Sequence, residues 1–148
     1  MKKCAEHLLT TGCTCLVIDL EACTGMDSTF MGTLTGLALR LVKQKGGGRM
    51  EIASANEKNT TSLEDLGLDA FMEINPTTAS WQRILPEVRM QLRAWDNMTR
   101  LSARQRGEQV LEAHKNLTVA NDSNAQKFGL VLEVLENELK KSDPATDS

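Results

Sequence analysis

The feature that most constrains the fold of this chain is the order of apolar patterns between residues 14 and 53. The run TCLVIDL, residues 14–20, is short and rich in β-branched residues, which is typical of a strand buried on both faces. From Phe30 to Val42 the apolar residues recur every three or four positions, which is the spacing of one helical face. RMEIASA, residues 49–55, then alternates like a second strand. This order predicts a parallel α/β sheet with residues 14–20 as its central strand.

Small polar residues and glycines mark the ends and the packing face of the predicted helix. Asp27 or Ser28 stands where an N-cap belongs, and the glycines of KGGGR, residues 45–49, allow the helix to end. Gly32 and Gly36 lie one turn apart inside the helix, where each costs about 1 kcal/mol relative to alanine. We expect close packing of this helix against the sheet to compensate for that cost.

The rest of the chain predicts one more strand and then only helices. TTSLEDLGLDAFMEIN, residues 60–75, has the pattern of a short helix, a stop at Gly67 and a strand. An apolar stripe that ends at Trp95 predicts a helix, and the capping box SARQ, residues 102–105, opens the first of two further helices that should form an antiparallel hairpin. The predicted division is a domain over 1–83, a helical extension over 84–141 and a disordered tail over 142–148.

The charge and the apolar pattern of the chain argue against several classes of function. The 148 residues carry a net charge of -3, so the chain has no basic field for nucleic acid, and no nucleic-acid partner is expected. No segment approaches the roughly 20 apolar residues that span a bilayer, and the first residues do not resemble a secretory signal. We expect a cytoplasmic protein that does not bind membranes.

All four cysteines lie near the start of the chain, so a zinc site deserves consideration. Cys4, Cys13, Cys15 and Cys23 lack paired C-x-x-C spacing, although His7 offers a further ligand. The expected state is four reduced, partly buried thiols, with no metal and no cofactor.

The sequence offers no convincing enzyme motif. Ser28 lacks a Gly-x-Ser-x-Gly elbow, and the glycines of residues 45–49 lack the Lys-Ser/Thr of a P-loop. His114 lies on an apolar helical stripe, where a packed and hydrogen-bonded side chain is more common than a base or a ligand. An enzyme is therefore not expected.

Residues 14–75 resemble the STAS domain, the fold of bacterial anti-sigma factor antagonists. The order of strand, acidic loop, helix, glycine-rich turn, strand, short helix and strand carries this resemblance. So does the family signature Asp-Ser-Ser/Thr-Gly-apolar-Gly, which appears as DSTFMG from Asp27 to Gly32, with Phe30 in place of the first glycine. The expected fold class is α/β: a STAS-like sheet of three to four strands with packed helices, plus the C-terminal helical hairpin.

The start of the chain is shorter than the resemblance leads one to expect. STAS domains usually open with two strands, whereas one short helix is predicted before Thr14. Either the sequence begins at an internal methionine or this member has a reduced sheet. We therefore expect an unpaired sheet edge or an uncovered apolar face near residues 16–20.

The resemblance also implies a function and the residues that carry it. Ser28 matches the phosphoacceptor of the family, with Thr29 as the alternative, and a GHKL-type serine kinase that is itself the anti-sigma factor would modify it. A PP2C-type phosphatase would reverse the modification. Asp19 and Asp27 would flank the hydroxyl, and the implied partner-binding residues are Asp19, Asp27, Thr29, Phe30 and Met31. The alternative is a scaffold STAS subunit of a larger signalling or lipid-transport assembly, and the C-terminal helices are candidates for a homodimer contact.

Overall fold

In the residues that the computed structural model describes, 1–94 and 100–142, six α-helices accompany three β-strands. Two short 3-10 segments, Leu68–Ala70 and Ser80–Arg83, lie between them. The elements are α1 (Lys2–Thr10), β1 (Cys15–Asp19), α2 (Ser28–Lys43), β2 (Arg49–Ala53), α3 (Glu57–Asp65), β3 (Met72–Ile74), α4 (Leu85–Gln91), α5 (Ala103–Ala120) and α6 (Asp122–Lys141). The fold is therefore mixed α/β, as the sequence predicted.

The three strands form one parallel sheet in the order β1, β2, β3. The prediction that residues 14–20 form the central strand is wrong, because β2 occupies the centre and β1 has a single neighbour among the described strands. Burial follows this order: four of the five β2 residues are buried, whereas Leu16 is the one buried residue of β1. The open edge expected near residues 16–20 is present in the part of the chain that the structure describes.

The main core lies between α2 and one face of the sheet. The apolar face of α2 contributes Leu34, Leu37 and Leu41, each at most 2 % exposed. Met50 and Ile52 of the central strand are equally buried and belong to the same apolar cluster. The three- and four-residue spacing of α2 thus produces the buried face that the sequence predicted.

The two glycines of α2 face a helix and not the sheet. A Cβ atom on Gly32 would lie 2.1 Å from the backbone oxygen of Ala113, and one on Gly36 would lie 2.3 Å from the side-chain nitrogen of Asn116. Both neighbours belong to α5. The prediction that the glycines allow close packing is therefore correct. The prediction that the sheet packs there is wrong, since it is α5 that approaches α2 at these positions.

The two last helices form the predicted antiparallel hairpin, with Asn121 between them. Its pairing is shown by the ion pair of Lys115 with Glu136 at 2.8 Å and by the amide of Asn124, which donates to the backbone oxygen of Leu117 at 3.0 Å. Leu117 is fully buried in the same apolar cluster as the sheet and α2. The division at residues 83 and 84 stays a prediction, but the two predicted parts share one core.

The capping box that opens the hairpin is present. Ser102 accepts the backbone N–H of Gln105 at 3.1 Å, and the Gln105 side chain accepts the backbone N–H of Ser102 at 2.9 Å. These two bonds satisfy donors that the first turn of a helix otherwise leaves free.

The segment before the hairpin is a broken helix. The 3-10 turn Ser80–Arg83 is followed by α4, with Pro86 in its first turn, where the missing N–H of proline does no harm. Ile84 and Leu92 remain more than half exposed. Trp95, the last residue of the predicted stripe, lies outside the described residues, as do residues 143–148 of the tail predicted over 142–148.

Candidate functional site

Ser28 is the first residue of α2 and is half-buried. The preceding Asp27 has an extended backbone, and its carboxylate accepts the N–H of Phe30 at 2.7 Å. Asp27 is therefore the N-cap, which resolves the alternative that the sequence left open. The sequence predicts such a cap well, because the first N–H groups of a helix have no acceptor within the helix and a short acidic side chain just before it can supply one.

The hydroxyl of Ser28 meets an imidazole from α5. Ser28 Oγ lies 3.0 Å from Nε2 of His114, and His114 Nδ1 lies 2.8 Å from the backbone oxygen of Val110. A carbonyl oxygen can only accept, so Nδ1 carries the ring proton that donates to Val110. In a neutral ring Nε2 is then an acceptor, and the Ser28 hydroxyl donates to it.

His114 is held from several sides. It is 5 % exposed, and the ring of Phe128 on α6 meets it edge-on, with centroids 5.4 Å apart and an interplanar angle of 69°. The sequence predicted a packed, hydrogen-bonded histidine, and both parts of that prediction are correct. The partner was missed, because Ser28 lies 86 residues earlier in the chain.

The other residues of the segment from Asp27 to Gly32 differ in how exposed they are to a binding partner. Met31 is 8 % exposed and belongs to the core, so it offers almost no surface to a partner. Phe30 is half-buried and packs against the same cluster. Thr29 is half-buried, and its backbone oxygen accepts the hydroxyl of Thr33 at 2.8 Å. Asp27 is exposed, so among these residues it presents the most accessible charge.

Asp19, at the end of β1, is engaged by an arginine of α4. Arg89 Nε and Nη2 donate to its two carboxylate oxygens at 2.7 and 2.8 Å, and the same guanidinium donates to Glu21 and Ser54 at 2.8 Å each. The hydrogen bond from Arg89 is the main reason that the pKa of Asp19 is below its usual value. Asp27 adjoins Ser28 in the chain, and the carboxylate of Asp19 holds α4 at the strand ends through Arg89.

A second carboxylate is buried on the central strand. Glu51 is 3 % exposed, accepts Arg49 Nε at 2.5 Å and accepts the indole N–H of Trp81. The bond from Trp81 is the largest cause that lowers the pKa of Glu51. On the neighbouring strand, burial and then the charge of Glu51 raise the pKa of the Cys15 thiol. A raised pKa favours the protonated thiol, which is a weaker nucleophile than the thiolate.

The cysteines are free and half-buried. Within residues 1–94 and 100–142, no three His, Cys, Asp or Glu side chains are grouped closely enough to hold a metal ion. Over the same ranges no helix is both long and apolar enough to cross a membrane.

The STAS domain family model matches residues 1–81, which is more than half of the chain. The chain belongs to the STAS domain family. The matched stretch runs from α1 to the 3-10 turn at Ser80 and includes Ser28, whereas His114 lies outside it. STAS domains are generally binding modules without enzymatic activity. No curated protein and no solved structure matches the chain.

Proposed function

We propose that this STAS protein is a phosphorylation-controlled binding module, an anti-sigma factor antagonist in a bacterial partner-switching pathway that regulates transcription. Its partners are a GHKL-type serine kinase that acts as the anti-sigma factor and a PP2C-type phosphatase. The phosphoacceptor is Ser28, with Thr29 as the alternative. The protein acts in the cytoplasm and catalyses no reaction of its own.

The observation that carries this proposal is the placement of Ser28. It directly follows the capping Asp27, opens α2 and is only half-buried, all within the stretch that matches the STAS model. Backbone N–H groups and the positive end of the helix dipole meet at that point, so a phosphate of charge about -2 suits it without unfolding α2.

Phosphorylation would act on the binding of the partner through charge and bulk. The exposed carboxylate of Asp27 lies beside Ser28 and repels a phosphate, and a partner surface fitted to a neutral hydroxyl would have to desolvate that phosphate. Both effects favour release of the partner. The proposed contact surface consists of Asp19, Asp27, Thr29 and Phe30, and Met31 adds little to it because it is only 8 % exposed.

A scaffold role is the second candidate, and one observation favours it. The hairpin carries exposed apolar side chains, with Leu130 74 % and Val134 49 % exposed on α6 and Val119 71 % exposed on α5. Such side chains suit a permanent contact, either with a second copy of the chain or within a larger signalling or lipid-transport assembly.

The test combines detection of the modification with a binding series. Mass spectrometry of the protein from its native cells should find phosphate at Ser28. In pull-downs with purified GHKL-type kinases from the same cells, Ser28→Ala should bind like the unphosphorylated protein. Ser28→Asp should weaken binding by about 1 to 3 kcal/mol, because it imitates only part of the phosphate. Ser80→Asp is the control, since it adds the same charge at an exposed serine elsewhere in the matched stretch.

Two results would count against partner switching. Equal recovery of the kinase by wild type, Ser28→Ala and Ser28→Asp would reject it and favour the scaffold role. Equal losses in Ser28→Asp and Ser80→Asp would mean that added charge, and not the site, weakens the contact.

A further inference from the structure

The contact between Ser28 and His114 is arranged as a hydroxyl facing a base. In the neutral ring the Nδ1 proton donates to the Val110 oxygen at 2.8 Å, which leaves the Nε2 lone pair facing the hydroxyl 3.0 Å away. A backbone carbonyl that fixes the tautomer of a histidine beside a hydroxyl is the geometry that activates a serine. Binding of a partner to the surface around Ser28 does not require it.

We propose that Ser28 is an activated nucleophile toward phosphoryl donors and that His114 is its proton acceptor. This inference rests on the proposed function in taking Ser28 as the phosphoacceptor, and it adds the group within this chain that promotes the transfer. The donor class is a nucleoside triphosphate held by the partner kinase.

The transfer can be written so that its atoms and electrons balance. Ser28 Oγ attacks the terminal phosphorus, the Oγ–P bond forms, and the bond from that phosphorus to the bridging oxygen breaks. The nucleoside diphosphate leaves with the bonding pair, and the hydroxyl proton passes to His114 Nε2. The imidazolium that results stands beside the new phosphate, and the two opposite charges attract each other.

The packing of α5 on α2 sets this geometry. Ala113 comes directly before His114, and Gly32 lies one turn after Ser28. The missing side chain of Gly32 allows the backbone of Ala113 to approach, and the amide of Asn116 donates to the backbone oxygen of Gly32 at 3.3 Å. Gly32 is therefore a positioning residue, because a side chain there would push the imidazole away from the hydroxyl.

The surroundings allow a reagent to reach the hydroxyl while the base stays fixed. Ser28 is half-buried, so part of it is open to solvent, whereas His114 is 5 % exposed and the ring of Phe128 packs edge-on against its ring. Ser28 opens α2, and the positive end of the helix dipole there favours the negative charge of an incoming phosphoryl group. A held base and a reachable nucleophile are the conditions for general-base catalysis of the transfer.

A fluorophosphate tests the reactivity without the kinase. With diisopropyl fluorophosphate, the Oγ–P bond forms, the P–F bond breaks, fluoride leaves and the proton passes to His114. The full chain is treated at neutral pH, and the adducts are located by peptide mass spectrometry. Wild type should be labelled at Ser28 well above Ser62 and Ser80. His114→Gln should lower the rate of labelling at least tenfold, the low end of what a positioned base contributes.

The matched control is His7→Gln, which replaces the other histidine of the chain and should be labelled like wild type. The amide oxygen in His114→Gln can still accept a hydrogen bond from the hydroxyl but cannot take its proton, so this variant separates a base from a purely structural partner. Circular dichroism verifies that each variant folds. Should His114→Gln fail to fold, nitrogen NMR of the wild-type imidazole decides, with the Nδ1–H tautomer as the expected state.

Three results would overturn the inference: no preference for Ser28 in wild type, equal labelling of wild type and folded His114→Gln, or an Nε2–H tautomer. Because no kinase is present, the labelling can fail while the pull-down series succeeds, and the reverse also holds. Failure of this inference and failure of the proposed function are thus distinguishable.

Discussion

At the level of single residues, the features of the site that could be predicted are those set by neighbouring positions in the sequence. Asp27 and Ser28 could be predicted at the start of α2, because a cap acts within three residues of its own position. The partner of Ser28 could not be predicted, since His114 comes from an element 86 residues away. The one available hint was a polar ring on an apolar stripe, which needs a hydrogen-bond partner when buried. The place of Met31 in the signature implies a partner contact, but its burial follows from the helical face that it shares with the core.

The cap can be tested by removing its carboxylate. Asp27→Ala should lower the free energy of unfolding by about 1 kcal/mol, because the Phe30 N–H loses its acceptor. Asp27→Asn is the control, since its amide oxygen can cap equally well and should retain most of the stability. Urea unfolding of the three proteins measures the difference. Equal losses in both variants would show that the charge of Asp27, and not its capping bond, stabilises the helix.

The stabilisation that the ion pair of Arg89 with Asp19 gives the fold should depend on pH. The pKa of Asp19 in the folded protein lies below its value of about 3.9 in an unfolded chain. The ion pair with Arg89 therefore contributes its full stabilisation at pH values above the unfolded pKa. This stabilisation is lost as the pH falls through the lower pKa of Asp19 in the folded protein, because the carboxylate is then protonated. Arg89→Ala should therefore cost more stability at pH 6 than at pH 3 in urea titrations. Arg93→Ala is the control, because Arg93 donates to backbone oxygens and its effect should not depend on pH in this way.

At the scale of elements, the sequence indicates that a helix or strand exists but not which neighbour it meets. Gly32 and Gly36 signalled a close approach, yet nothing near them in the sequence distinguishes a sheet from a distant helix. The run at residues 14–20 likewise predicted a strand, but its place in the sheet depends on which strands pair. The antiparallel hairpin was predictable because Asn121 alone separates two helices that each carry an apolar stripe.

Replacing a helical glycine by alanine should change the stability in opposite directions at Gly32, which α5 approaches closely, and at Gly129, which has open space around it. Gly32→Ala should destabilise the fold by about 1 to 3 kcal/mol, because the added carbon would meet the backbone of Ala113. Gly129 on α6 has open space around the same position, so Gly129→Ala should stabilise by about 0.5 to 1 kcal/mol through helix propensity alone. Thermal melts of both variants measure the two shifts. Stabilisation by Gly32→Ala would contradict the close approach of α5.

At the scale of the whole molecule, the hairpin belongs to the same folding unit as the sheet. Leu117 is buried in the common core, and the Asn124 amide also donates to the backbone oxygen of Leu66 at 3.0 Å, next to α3. A switch at Ser28 therefore touches two parts of the fold, the stretch that matches the STAS model and the hairpin that carries His114. The sequence predicted both parts but could not show that they share a core, because that depends on contacts between distant residues.

The shared core predicts a single unfolding transition that responds to the hairpin. Leu117→Ala should lower the free energy of unfolding by about 2 to 5 kcal/mol, since it leaves a cavity at a fully buried position. Val119→Ala is the control, because Val119 on the same helix is 71 % exposed and should change stability by no more than about 0.5 kcal/mol. If the hairpin and the sheet unfold together, tryptophan fluorescence and circular dichroism shift by the same amount in Leu117→Ala. Two separate transitions, with only the helical signal affected, would mean that the hairpin folds as an independent arm and that Ser28 is freed whenever it opens.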